Sequence, residues 1–266
     1  MSHERGRGPR VVLITGATGA IGKAIARQIA AQEHYEVVLA ARDAGKAERA
    51  VTEIRRAAKN ERVRFALVDV ARKASVQALA ARWDGPLHVL INNAGITPRR
   101  RQETPERIEL QFATNVLGYL WMAQALTDRL AASASSRIVN VASYYAGDLD
   151  LSDLEFTRRP YDNNAAYRQS KQADRMLTVA LAERLRPLGV AVNACHPGDV
   201  SSQLSNNLGF AGSQTADEAA RTPVWLATSA AGQTTGKFFE HSREAPDPFA
   251  RDRQAIEALY QACVRY

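Results

Sequence analysis

Short unbroken apolar runs alternate along this chain with longer stretches in which apolar residues recur at helical spacing. Val11–Ile14 reads as a buried strand, followed by a glycine-rich turn, a helix over Lys23–Gln32 and a second strand over Glu36–Ala40. The rhythm continues with strand Val63–Val68, helix Ser75–Arg82, strand Leu87–Ile91 and a long helix from about Pro105 to Leu130. Strand Arg137–Val141, a helix through Ala165–Arg186 and strand Val190–Ala194 complete it. Continuous apolar strands separated by helices predict a parallel sheet covered on both faces, the doubly wound α/β class, with about seven strands.

The chain has 266 residues, 45% hydrophobic and 24% charged, with no composition shift or repeat that marks an internal boundary. A single domain over 1–266 is expected, with 1–9 as a flexible tail. Cys195 and Cys263 are too few for a disulfide framework or a metal cluster, and no metal site is expected. The opening MSHERGRGPR is polar and basic and no apolar stretch is long enough to span a bilayer, so a cytoplasmic protein is the expectation. A net charge of +7 invites a nucleic-acid reading. The excess gathers at the N-terminus and in Arg99-Arg100-Arg101, without aromatic interleaving, and fits an anionic cofactor better.

Chemistry enters at two places. Thr15-Gly16-Ala17-Thr18-Gly19-Ala20-Ile21-Gly22 lies between a strand and a helix, where glycines let a pyrophosphate approach the backbone at the helix N-terminus. A plain tight turn would also use glycine. Further on, Tyr167-Arg168-Gln169-Ser170-Lys171 places a phenol and an ammonium four residues apart on one helix face. A free phenol titrates near ~10, and a neighbouring ammonium pulls that value toward physiological pH. Solvated helix faces also carry this spacing.

Taken in order, TGATGAIG, Asn92-Asn93-Ala94-Gly95, Ser143, YRQSK and His196-Pro197-Gly198 resemble the short-chain dehydrogenase/reductase family, over nearly the whole chain. Ala20 departs from the usual TGxxxGxG pattern, and Gly19 instead supplies the GxxGxxG spacing of the family's extended members; length and NNAG place the chain with the classical branch. The resemblance implies a single Rossmann domain and an oxidoreductase with Asn115, Ser143, Tyr167 and Lys171 as its catalytic set. It implies cofactor contacts from Gly16, Thr18, Gly19, Ala20, Ile21 and Gly22 at the turn, and from Asp69 and Val70 at the adenine. Asn93, Ala94 and Gly95 would lie beside the fourth strand, and Pro197, Gly198, Val200 and Ser202 on the nicotinamide side, with Tyr167 and Lys171 meeting the ribose. His196 is expected to be structural.

Arg42 stands where folds that prefer NAD carry an acid, roughly 20 residues after the glycine turn. A guanidinium there favours a 2′-phosphate, so NADP(H) is expected over NAD(H), and that pool's usual reduced state tilts the reaction toward reduction. Asp43 beside it reads equally as a helix cap, as does Asp69.

The insert Asp148–Asn164 and the AAY, PVWLA and GKFF segments resemble the retinol dehydrogenase-like group, with part of the pattern shared by protochlorophyllide reductases. That implies a lipophilic aldehyde, ketone or secondary alcohol. The stretch at about 199–222, centred on Leu204–Gln214 with Gly209, Gly212, Leu208 and Phe210, is expected to be a lid on the substrate side. A light-driven pigment reductase and a catalytically silent NADP(H)-sensing regulator stay open as alternatives. Family resemblance also implies dimers or tetramers, through the two long helices bearing Asn115 and Tyr167.

Overall fold

The computed structural model describes residues 8–266, so residues 1–7 of the expected tail, with most of its basic sequence, lie outside the described residues. The elements are β1 (Arg10–Thr15), α1 (Ala20–Ala30), β2 (Tyr35–Ala41), α2 (Ala44–Ala58), β3 (Val63–Leu67), α3 (Lys73–Arg82) and β4 (Val89–Asn92). After α4 (Leu110–Phe112), a π-helical turn Ala113–Leu117 leads into α5 (Gly118–Ala125), α6 (Thr127–Ala131), β5 (Arg137–Val141) and α7 (Asn163–Leu185). Then follow β6 (Ala191–Cys195), α8 (Gln203–Asn207), α9 (Ala216–Thr228), β7 (Phe238–Glu240), β8 (Arg243–Ala245) and α10 (Arg253–Val264).

The strands form one sheet in the order β3-β2-β1-β4-β5-β6-β7-β8, parallel throughout except that β8 runs antiparallel to β7. Successive residues of β1 feed opposite cores. Val11 and Leu13 pack with α3, α5, α7 and α10, whereas Val12 and Ile14 pack with α1, α2 and α9. Both faces of the strand are therefore dry, which is why its sequence reads as an unbroken apolar run. The direction of winding reverses between β1 and β4, and this opens a crevice at the carboxyl ends of those strands.

Three local features differ from the sequence reading. An eighth strand exists, because Phe238–Glu240 pairs back on Arg243–Ala245 through a tight turn with positive φ at His241 and Ser242; three-residue strands carry no readable periodicity. The helix expected from about Pro105 starts at Leu110, where both Glu109 carboxylate oxygens accept backbone N–H groups, from Gln111 at 2.8 Å and Phe112 at 2.6 Å. It also widens into a π turn around Asn115.

Residues 111–123, spanning the π turn and most of α5, are buried, and α10 sets Ile256, Leu259 and Cys263 against α7. The large apolar side chains exposed among the described residues, Leu67, Tyr144, Leu151, Leu188 and Phe210, lie outside α5 and α7. The two helices expected to join subunits are thus clothed by the chain's own segments.

Candidate active site

At the mouth of the crevice the glycine turn is shaped by its neighbours. Gly16 has φ +64°, and a Cβ there would come within 2.8 Å of Ala94 Cα; one on Gly22 would meet the Gly16 carbonyl at 2.4 Å and Asn93 Nδ2 at 2.6 Å. Gly19 is less constrained, with its closest neighbour at 3.3 Å and extended backbone, so the GxxGxxG spacing holds two demanding glycines and one permissive one. Gly19 is the N-cap of α1 and offers no side chain to the first-turn N–H groups, and that turn holds no acidic residue. Those donors and the helix dipole are free for an anion. Thr18 is half-buried and Gly19 and Ala20 are exposed at this edge, with Ile21 half-buried behind them.

Asn93 braces the turn. Its Nδ2 donates to the Thr15 carbonyl at 2.9 Å, and the Thr15 hydroxyl accepts from Asn93 N at 2.8 Å and Ala94 N at 3.0 Å. Its amide is therefore spent on the protein. Ala94 and Gly95 continue as a half-buried edge without secondary structure. Asp69 closes an Asx turn by accepting from Ala71 N at 3.1 Å, and the cap position of α3 is Arg72. Val70 is buried against Gly118, where a Cβ would lie 2.9 Å from the Val70 carbonyl. Arg42 is exposed just beyond β2 and makes no hydrogen bond or ion pair among the described residues, while Asp43 caps α2 by accepting from Lys46 N at 2.9 Å.

Deeper in the crevice Ser143, Tyr167, Lys171 and Asn115 are all buried. Ser143 follows the end of β5, and its hydroxyl accepts from Tyr145 N at 3.0 Å. Lys171 Nζ donates to the Val141 carbonyl at 3.0 Å and to Asp174 Oδ2 at 2.8 Å, and Nζ lies 5.1 Å from the Tyr119 ring centroid and 5.9 Å from that of Tyr167. Tyr119 shares the Val141 carbonyl at 3.1 Å. Burial raises the Tyr167 phenol above its ordinary value, while Lys171 and the adjacent Ser143 hydroxyl pull it back. The sequence expectation of an acidic phenol meets a stronger opposing cost, because the ring is almost sealed and Asp174 and Asp199 add negative charge. Lys171 stays firmly charged: burial opposes the ammonium, but Asp174 and the phenols of Tyr119 and Tyr167 raise it above the usual lysine range.

Asn115 binds elsewhere. Its Oδ1 accepts from Ile96 N at 2.9 Å, and its Nδ2 donates to the Ile96 carbonyl at 3.1 Å and to Ser170 Oγ at 3.2 Å. The amide thus ties the β4 exit to α7 one residue before Lys171. Behind it a buried ladder runs from Asn92 Nδ2 to Asn140 Oδ1 at 2.9 Å and from Asn140 Nδ2 to Thr178 Oγ1 at 2.9 Å.

An aromatic rim surrounds this centre. Tyr145 stacks near Tyr167 with centroids 6.4 Å apart and meets Phe210 edge-on at 6.3 Å. Tyr144 packs edge-on against His196 at 4.5 Å and donates to Asp199 Oδ2 at 3.0 Å. Burial lowers the His196 imidazole to about 4, so it is neutral near pH 7. Pro197 and Gly198 turn the chain beneath Gln214, which takes the Asp199 N–H at 3.0 Å and returns its own N–H to the Asp199 carbonyl at 2.9 Å. Buried Val200 pairs with Gln214, and Ser202 caps α8 by accepting from Ser205 N at 3.3 Å. The segment expected as a lid is therefore a short capped helix and its return, joined to the β4 exit through Thr97 Oγ1 and the Leu204 carbonyl at 3.1 Å.

Sequence reasoning missed Asp174, Tyr119 and the Tyr144–Tyr145 pair. Asp174, three residues after Lys171 on one helix face, carried a readable signal, namely a carboxylate at salt-bridge spacing within the motif's own helix. Cys195 is fully buried, and burial pushes its thiol well above the usual range.

Four similarities agree with this geometry. The family model described as short chain dehydrogenase matches residues 10–210. Human retinol dehydrogenase 13 is 34% identical over 278 aligned positions, covering 96% of this chain and 84% of that protein. The crystal structure of an uncharacterised protein from Mycobacterium paratuberculosis superposes with a TM-score of 0.80 at 29% identity, covering 97% of this chain and 93% of the other. An actinorhodin polyketide ketoreductase solved with NADPH superposes with a TM-score of 0.66 at 25% identity, covering 87% and 95%.

Proposed function

This chain belongs to the short chain dehydrogenase family, oxidoreductases acting on CH–OH groups with a nicotinamide cofactor, and we propose that it interconverts a lipophilic carbonyl compound and its alcohol with NADP(H). The observation that carries the reading is the meeting of Ser143, Tyr167 and Lys171 beyond the end of β5, facing a crevice whose entrance is an uncapped helix and a glycine cradle.

The cradle fits a dinucleotide, since α1 presents free N–H donors at a turn whose tight closure on Ala94 and Asn93 requires Gly16 and Gly22. Gly16, Thr18, Gly19, Ala20, Ile21 and Gly22 would hold the pyrophosphate, Asp69 and Val70 the adenine side, and Arg42 the 2′-phosphate. Ala94, Gly95, Pro197, Gly198 and Val200 would line the rest, with Asn93 and Ser202 acting through the turn and the cap they hold. A nicotinamide bound there supplies the hydride acceptor or donor.

The residues of the chain handle the oxygen. Ser143 donates a hydrogen bond to the substrate oxygen as charge develops on it. Tyr167 gives that oxygen a proton in reduction and takes one in oxidation. The fixed charge of Lys171 stabilises the phenolate, and Asn115 holds the β4 exit and Ser170 in register beside it. Tyr144, Tyr145 and Phe210 give the site an aromatic rim, which supports a lipophilic substrate, as does the similarity to a protein named retinol dehydrogenase.

The test is NADPH consumption across aldehydes and ketones of graded size and hydrophobicity, run in light and in darkness. Turnover that rises with apolar size and ignores light is expected. NADPH binding without turnover of any carbonyl would point to a sensor, and strict dependence on light to a pigment reductase.

A further inference from the structure

Asp174 is one turn beyond Lys171 on α7 and belongs to no motif. Its Oδ2 accepts from the Lys171 ammonium at 2.8 Å, with the two side chains 0% and 4% exposed. Its Oδ1 has no hydrogen-bond partner among the described residues. A buried carboxylate left half satisfied is costly, and packing alone would be served by an apolar side chain. The ammonium has three donors. One goes to Asp174 and one to the Val141 carbonyl, which leaves a single donor for a bound ribose.

The surroundings of the pair are known on each side. Tyr167 stands on the same helix, Tyr119 faces it from α5, the buried thiol of Cys263 from α10 and that of Cys195 from β6. Arg175, the next residue, turns away onto Phe238 at 3.7 Å and Asp247 at 3.0 Å. Lys171 is thus the cation that Asp174 meets.

We propose that Asp174 is a positioning residue whose carboxylate fixes the Lys171 ammonium and offsets its charge, thereby setting how much positive potential reaches Tyr167. This rests on the reading of Tyr167 and Lys171 as proton partner and charge source. In Asp174→Asn an oxygen acceptor remains but the negative charge is gone, so Lys171 acts on the phenol undiluted. The acidic limb of the pH profile of kcat/KM for alcohol oxidation then moves to lower pH by about one unit.

An unmoved limb, in a protein where Tyr167→Phe abolishes turnover, overturns the role of Asp174 alone. Turnover retained in Tyr167→Phe overturns the underlying reading. A second measurement needs neither substrate nor cofactor, nor a folded Asp174→Asn. Lys171→Met strands a buried charge and melts at lower temperature than wild type, and Lys171→Met/Asp174→Asn recovers part of that loss. Equal melting, or equal failure to fold, of the single and double variants overturns the pairing.

Discussion

The side-chain amide of Asn93 lies directly against Gly22, so close that a Cβ on the glycine would stand 2.6 Å from Nδ2, while the same amide holds the Thr15 carbonyl at 2.9 Å. Position 22 is therefore closed to any side chain, whereas position 19 is open to a methyl with only a small shift. Gly22→Ala should cost about 1–3 kcal/mol by overpacking and weaken NADPH binding, because the Asn93 brace and the turn must move together. Gly19→Ala should do little to the melting temperature. Thermal melts and NADPH fluorescence titrations of both variants check this; equal effects would show that the brace does not govern the turn.

Tyr167→Phe removes one oxygen from a buried ring and leaves the Lys171 contacts to Val141 and Asp174 in place. Turnover should fall by about 10²–10⁴ or more, the range associated with losing a general acid or base. NADPH affinity should stay within about twofold, since none of the glycine-turn contacts involves the phenol. Steady-state rates and a direct binding titration on the same preparation separate the two effects.

Arg42 is exposed and unpaired among the described residues, so its removal leaves no buried group stranded. Arg42→Ala should weaken NADPH binding about tenfold, the loss of roughly one charge-assisted hydrogen bond, and leave NADH unchanged. An unchanged ratio of the two affinities would refute the choice of NADP(H).

The sheet was legible because the central strands are dry on both faces: Val11–Ile14 and Val37–Ala40 stand out as apolar runs, and their parallel pairing follows from the helices between them. The placement of Gly16 in a tight turn and of Tyr167 and Lys171 on one helix was equally readable, since it depends on close backbone approach and on helix spacing. Asp174, Tyr119 and Tyr144 were not, since their meaning comes from burial and from partners on other elements. Nor were β7 and β8, whose three residues each are too few to show alternation. The fate of the Tyr167 phenol needed the structure as well, because burial outweighs the lysine visible four residues on.

The clothing of α5 and α7 has a consequence for assembly. Stable homodimer interfaces need roughly 800 Å² or more per partner with an apolar centre, and these helices leave no large exposed apolar side chain among the described residues. Light scattering at micromolar concentration reads the assembly, and a dimer held through these two helices is not expected. A dimer would have to use another face, and Leu259→Ala tests the covering directly, with an expected loss of about 2–5 kcal/mol for deleting a fully buried leucine.

Glu109 connects acidity to stability. Burial raises its carboxyl from 4.5 to about 7, even though the Gln111 and Phe112 N–H groups and Arg101 favour the charge, and Glu155 beside it raises it further. The folded value lies above the unfolded one, so between about pH 4.5 and 7 the folded chain binds the extra proton. The stabilisation is complete below that window and is lost as pH rises through about 7, by up to about 3 kcal/mol for a gap of about 2.5 pH units. Urea unfolding at pH 5.5 and pH 8 should show wild type losing stability across this step, beyond what other groups contribute. Glu109→Gln keeps an oxygen to accept one N–H and gives up part of the cap, about 1 kcal/mol at pH 5.5. Because the amide does not titrate, its unfolding curves should be closer together at the two pH values than those of wild type. A step of equal size in both proteins would show that Glu109 is not the titrating group.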